Sequence, residues 1–268
     1  MIPKEDVNII KIFQSPINNN EIKKLYNQLA NHTTGKAKIE SKGSRRIATV
    51  GVTIPGTRLW SNNTVNVSVS PDFSNEQKNN ILTAIDIWHT NTSLNFNIVD
   101  VNDGTVQKVN IIPTASGCRS TTGMPSIHDG TIQLSPTCDI QSIIHEIGHT
   151  VGLIHEHQRP LRDTYLKNVL NEQDLSVIAS AFSESLANSI RYNLEIEEVI
   201  DDLDPFDMHS VMLYGSWPRN NQELSDYLKY QYQKPFYTDA NGQEVVRPTY
   251  GLTPNDIKKV HRIYGMAD

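Results

Sequence analysis

His145-Glu146-Ile147-Gly148-His149-Thr150-Val151-Gly152-Leu153-Ile154-His155-Glu156 is the stretch that decides how this chain is read. At about 100° per residue, Ile140, Ile143, Ile144, Ile147 and Val151 gather into one apolar stripe and predict the buried face of a helix. His145 and His149 then fall on the opposite side, one turn apart and within about 6 Å of each other. Two imidazoles so placed can grip one metal ion from the same direction. Gly152 stands where the helix should end, since glycine readily takes the left-handed conformation that reverses the chain. The turn can carry a later histidine back to the ion, and spacing alone leaves both His155 and His157 open for that place. Three neutral imidazoles around Zn2+ leave a fourth position for water, the open arrangement of a catalytic site. Zinc lowers the pKa of bound water to about 7, and Glu146, directly after the first histidine, is placed to take its proton. A histidine pair on a helix is often only surface. The glycine and third histidine at these spacings set this segment apart from a chance H-E-x-x-H.

Outward from the segment, the pattern is sheet and helix. Val65, Val67 and Val69 alternate with Asn66, Ser68 and Ser70, as in a half-buried strand. Ser74 and Gln77 make a capping-box pattern before a helix with the stripe Ile81, Ala84, Ile85 and Trp88. Further strands are predicted at Leu94/Phe96/Ile98, Val109/Ile111 and Ile132/Leu134, giving a mixed sheet with helices. Beyond Arg159 the sequence predicts a helix over 171–190, an acidic loop or solvated face over 195–204, and a hairpin turn at Asn241-Gly242. The final helix has Thr253 as cap, Pro254 at its first position, the stripe Ile257, Val260 and Ile263, and Gly265 as its stop. Residues 1–56 differ in texture. They are rich in Asn, Ile and Lys, with a helical candidate over 20–30 and a basic stretch through Lys36, Lys38, Lys42, Arg45 and Arg46. They read as an N-terminal extension or pro-segment, and 57–268 as the catalytic domain.

The composition excludes several classes. With 268 residues, 37% hydrophobic and 20% charged, the chain is an ordinary globular one rather than collagenous or wholly disordered. A net charge of −6 argues against a nucleic-acid partner. No run of about 18 apolar residues occurs, so no membrane span is expected. The first thirty residues show no signal-peptide pattern. Cys118 and Cys138 are too few for a disulfide scaffold; they can form one bridge or stay reduced, depending on the compartment.

The extended zinc motif resembles that of the metzincin metalloproteases, and Glu156 directly after the third histidine resembles the astacin family within them, bacterial members included. Arg159 and Arg162 match the astacin continuation, while Leu161 stands where the family has Asp. A second block agrees: Ser210-Val211-Met212-Leu213-Tyr214 resembles the astacin Met-turn, with Leu213 in place of the usual His. The resemblance settles the third ligand on His155 and implies an α+β, two-lobed fold. Its upper lobe holds a twisted mixed sheet and two long helices; its lower lobe is mostly irregular, with the C-terminal helix. It implies a monomeric zinc-dependent endopeptidase acting on protein or peptide substrates with one catalytic Zn2+. The metal ligands would be His145, His149, His155 and Tyr214, the catalytic residues Glu146 and Tyr214. Met212 would form the hydrophobic floor under the zinc, and Cys118, Arg119 and Ser120 the edge strand along which substrate pairs. Cys118 and Cys138 fall where the family has a disulfide. In the family a freed terminus docks near the residue matching Glu156, which puts the mature start near Gly51; the zinc-occluding F-x-G-D motif of family pro-segments does not occur before Leu59. Family members often favour acidic or small residues after the cut. A secreted enzyme is expected, exported with a leader not in this sequence or delivered by a dedicated bacterial secretion system.

Overall fold

The alternation at 64–69 forms β1 (Thr64–Val69), which buries Val65 and Val67. In the computed structural model of the chain, residues 46–219, 221–247 and 251–266 are described. The helical candidate at 20–30 and the basic residues Lys36, Lys38, Lys42 and Arg45 lie outside them. β1 runs between β2 (Asn95–Ile98) and β3 (Val109–Pro113), parallel to both. Parallel neighbours need a crossover, and α1 (Asn75–Asn91) supplies the one between β1 and β2. β4 (Cys118–Ser120) pairs antiparallel with β5 (Gly130–Leu134), and the sheet has the order β2-β1-β3-β5-β4. Every strand predicted from the alternation is present, and 118–120 is an edge.

α1 starts at Ser74, whose hydroxyl accepts the Gln77 N–H at 3.2 Å. The other arm of the predicted box is not made, because the Gln77 amide reaches across to the Ser135 carbonyl. α1 packs on α2 (Ile140–Thr150), and the wholly buried Trp88 donates its indole N–H to the Ile144 carbonyl at 2.9 Å. That bond removes the penalty of burying an indole donor and keeps the gain of its apolar area.

The single helix predicted over 171–190 is two, α3 (Glu172–Ala181) and α4 (Glu184–Leu194). Ser183 breaks it: in extended conformation it accepts the Leu186 N–H and caps the second helix. β6 (Leu166–Lys167) and β7 (Thr238–Asp239) form a small antiparallel pair, after which Gly242, at φ 79°, turns the chain as the Asn-Gly signal predicts. α5 (Pro254–Tyr264) has the expected Thr253 cap and left-handed Gly265 stop.

Two apolar cores result. The first joins the sheet, α1 and α2 with Val260, Ile263 and Tyr264 of α5. The second joins Ile178 of α3 and Ile190 of α4 with Leu213, Phe236 and Tyr237. Met212 belongs to the first and Leu213 to the second, so the 210–214 turn is the seam between the two lobes. This is the α+β, two-lobed architecture.

Residues 46–56, assigned from the sequence to the extension, pack against the rest of the described fold. Ala48 and Val52 are buried, Ile47 bridges Arg58, and the Thr53 hydroxyl donates to the Gly152 carbonyl at 2.6 Å. Gly51 has φ 99°, and a Cβ there would lie 2.8 Å from Ile263, so only glycine fits that crossing. The acidic 195–204 segment is a loop held by ion pairs: Asp201 and Asp204 meet Arg262 at 2.7 and 2.9 Å, and Asp202 meets Arg159 at 2.5 Å.

Candidate metal centre

α2 carries the first two histidines, and its two ends are both fixed. Asp139 opens it by accepting the Ser142 N–H at 2.7 Å. At the other end Gly152 (φ 105°) donates to the His149 carbonyl and Leu153 to the Gly148 carbonyl, at 2.8 and 3.0 Å. This paired closure reverses the chain and returns His155 to the helix. The rings of His145, His149 and His155 have centroids 4.8, 5.1 and 4.6 Å apart, and one ligand nitrogen from each lies within 4.8 Å of the others.

Each ring has its proton fixed on the outer nitrogen. His145 Nδ1 donates to the Val211 carbonyl at 2.8 Å, His149 Nδ1 to the Leu153 carbonyl at 2.9 Å, and His155 Nδ1 to Gln158 Oε1 at 2.6 Å. Oxygens of carbonyl type only accept, so every Nε2 is left as a lone pair. Burial keeps the rings neutral: it holds His149 down at about 4, and His145 and His155 well below the ordinary imidazole range.

The Nε2 atoms of His149 and His155 are 3.1 Å apart. With both protons on Nδ1, two lone pairs face each other there, which is unfavourable without a cation between them. Zn–N bonds of about 2.0–2.1 Å in a tetrahedral site place neighbouring nitrogens about 3.3 Å apart. The residues present therefore fit one zinc ion. His157, the rival by spacing, stands outside the cluster. Its Nε2 donates to the Asn193 carbonyl at 3.0 Å, and its Nδ1 accepts the Tyr214 N–H at 3.4 Å.

Glu146 and Tyr214 border the same space. Burial pushes the Glu146 carboxyl up to about 8, against the pull of Arg247. Burial and the nearby Glu146 raise the Tyr214 phenol well above its usual range, so it remains a donor. Its ring centroid is 4.4 Å from that of His155 and 5.6 Å from that of His145. Met212 lies beneath α2: a Cβ on Gly148 would come within 2.4 Å of its sulfur, so the helix and the Met-turn touch only because residue 148 is glycine.

The three histidines, Glu146 and Tyr214 line a cleft of about 580 Å³. Cys118, Arg119 and Ser120 of β4 form one rim, and Tyr214, Trp217 and Arg247 stand among the other lining residues. Cys118 and Cys138 are joined as a disulfide, with Cα atoms 6.0 Å apart. The bridge ties the rim strand to the residue just before the Asp139 cap of α2.

The model of the astacin peptidase family matches residues 52–265. The chain belongs to the astacin family. It is 25% identical over 217 residues to zinc metalloproteinase nas-4 of Caenorhabditis elegans, covering 77% of this chain and 59% of that protein. It is 30% identical over 165 residues to astacin-like metalloprotease toxin 5 of Loxosceles gaucho, covering 60% of this chain and 78% of the toxin. The chain spans only 21% of the length of nas-39 of Caenorhabditis elegans and less than two thirds of the length of several other relatives. In fold it is similar to high choriolytic enzyme 1, a hatching enzyme zinc-protease of the medaka Oryzias latipes, with a TM-score of 0.57 and 18% identity over 79% of this chain and 94% of that one.

Within this astacin chain, Glu156 shows what the sequence left open. Its buried carboxylate accepts from Arg159 and Lys259 at 2.6 Å each and from the Asp207 N–H at 2.7 Å. The Gly51 N–H instead meets Asp201, at 2.9 Å. The acidic partner that Leu161 cannot provide comes from Asp202, which pairs with Arg159 and accepts the Leu161 N–H. Lys259, Asp202, Gln158 and Arg247 carried no sequence signal, because each acts through a fold-made neighbour. Truncating one partner of a buried pair costs about 3–5 kcal/mol. Glu156→Ala, which strands the buried Lys259, is expected to lose about that much in urea unfolding, and adding Lys259→Met to recover part of it. No recovery in the double variant shows that the stranded charge is not the cause.

Proposed function

We propose that this astacin is a zinc endopeptidase with His145, His149 and His155 as its protein ligands. The observation that supports it is the convergence of three proton-free Nε2 atoms beside the buried Glu146 carboxyl group. Held by His145, His149 and His155, a zinc ion would supply Lewis-acid polarisation of a peptide carbonyl and would bring water into the range of about pKa 7. Glu146 takes the proton of the attacking water and passes it to the departing amide nitrogen. The Tyr214 hydroxyl donates to the carbonyl oxygen as that oxygen gains charge; without substrate its oxygen would be a further ligand to the metal. The free edge of β4 at Cys118, Arg119 and Ser120 pairs with the extended substrate backbone, and the disulfide holds that edge to α2. Met212 keeps the floor of the site apolar, and Glu156 anchors the turn that presents His155. We further propose a secreted, monomeric enzyme, whose extension ahead of the packed 46–56 segment carries no zinc-occluding group. Among the described residues no helix is long and apolar enough to cross a membrane.

Specificity is assigned to Arg247. It donates to Ser142 Oγ at 3.1 Å, and its buried Nε has no partner among the described residues. A buried donor left unmade costs about 1–3 kcal/mol, which a carboxylate in the cleft relieves. The zinc-loaded chain, incubated with denatured protein and read by mass spectrometry of the new termini, is expected to cut internal bonds with Asp or Glu enriched after the cut. Arg247→Gln is expected to lower kcat/KM for such sites about tenfold, the equivalent of one charged hydrogen bond of about 1.5 kcal/mol. The absence of internal cuts refutes the endopeptidase reading; unchanged preference in the variant refutes only the role of Arg247.

A further inference from the structure

We infer that Gln158 is a positioning residue for the third metal ligand: it fixes which nitrogen of His155 carries the proton, and does so from the end of α4. The inference rests on the ligand set proposed above. A helix leaves its last carbonyls without partners inside the helix. At the end of α4 three successive carbonyls are capped from the segment that follows His155. Gln158 Nε2 donates to Tyr192 O at 3.1 Å, His157 Nε2 to Asn193 O at 3.0 Å, and an Arg162 guanidinium N–H to Leu194 O. Glu197 returns a bond from its N–H to Gln158 O at 2.8 Å.

The first cap decides the orientation of the Gln158 amide. Its NH2 is spent on a carbonyl, so the atom 2.6 Å from His155 Nδ1 is its oxygen. An amide oxygen only accepts; His155 is thereby protonated on Nδ1 and presents Nε2 as a lone pair. For His145 and His149 the same task falls to the backbone carbonyls of Val211 and Leu153, which no side-chain substitution removes. Gln158 is the side chain that performs it, and it is buried, so water does not compete for the bond. Outer partners of metal-bound histidines are worth about 10–100-fold in metal affinity.

The test uses the full chain and its zinc affinity, measured by competition with a chelator of known zinc affinity. Gln158→Leu removes both the acceptor for His155 and the cap on Tyr192. Gln158→Glu keeps the acceptor and loses only the cap. The Leu variant is expected to bind zinc about 10–100-fold more weakly, with the helical circular dichroism of the parent. The Glu variant is expected to stay within a few-fold of the parent or bind more tightly. Equal weakening in both variants makes Gln158 a helix cap and nothing more; no weakening in either leaves His155 oriented without it. Both results overturn the inference. Should the Leu variant not fold, Gln158→Asn, one methylene too short to hold both partners, reads the same arm. Zinc affinity is read without hydrolysis, so a chain that shows the expected pattern yet cuts no peptide defeats the protease reading and not this one.

Discussion

Glu146→Gln is expected to lower kcat by about 10²–10⁴-fold, the usual worth of a positioned general base, and to leave zinc bound. The two side chains have the same shape, so the cleft keeps its geometry. What changes is that an amide cannot accept a proton from water or return one to the leaving nitrogen. Glu146 is not among the three residues whose nitrogens converge, and His145, the residue before it, keeps its bond to Val211. Burial already works against the charged form of Glu146, and an amide carries no charge to bury, so the variant is expected to melt no lower than the parent. Loss of activity together with a parent-like melting curve and zinc content then points to chemistry rather than folding. Undiminished hydrolysis in this variant assigns the proton transfer to another group and removes Glu146 from the mechanism.

How far the sequence reaches follows from which contacts are local. The stripe from Ile140 to Val151 and the stop at Gly152 are neighbours along the chain, so helix α2 and its reversal are legible from residue spacing. The strands are legible for the same reason: Val65 and Val67 declare their face by period alone. Legibility fails where a side chain has a distant choice. Gln77 has the right spacing for a reciprocal cap and is taken by Ser135. His155 and His157 are equally placed in sequence, and the family resemblance was needed to choose between them. In space the two differ, because His157 Nε2 is bonded to the carbonyl of Asn193, 36 positions on, while His155 Nε2 lies 3.1 Å from that of His149.

The support of the site is less legible still. The buried pair of Glu156 with Lys259 joins residues 103 positions apart, and nothing in the helix that holds Lys259 marks it as an interior charge. Residues 46–56 continue a stretch rich in Asn, Ile and Lys, so the sequence assigns them to an extension. They are fixed by backbone bonds of Gly51 and Thr53 to the 200–201 segment instead, a kind of contact with no residue-type signature.

Withdrawal of zinc is expected to take hydrolysis to background and to lower the melting temperature, with both restored by adding zinc back. The structural reason is the 3.1 Å approach of His149 and His155. Their outward nitrogens are committed to Leu153 and Gln158, so the rings cannot relieve the facing lone pairs by moving a proton without breaking one of those bonds. A ligand that binds only the folded state stabilises it by about 2.7 kcal/mol when present at 100 times its dissociation constant. For a domain of this size that corresponds to roughly 5–10 °C. Differential scanning calorimetry with and without a chelator, followed by zinc titration, measures it. His149→Ala is expected to melt at the same temperature with and without zinc, because the pair that needs the cation is gone. A parent chain whose melting point ignores the chelator, with hydrolysis continuing, shows that the three rings are not a zinc site. In that case the carboxylate beside them has no activated water to act on, and the endopeptidase reading falls with the metal.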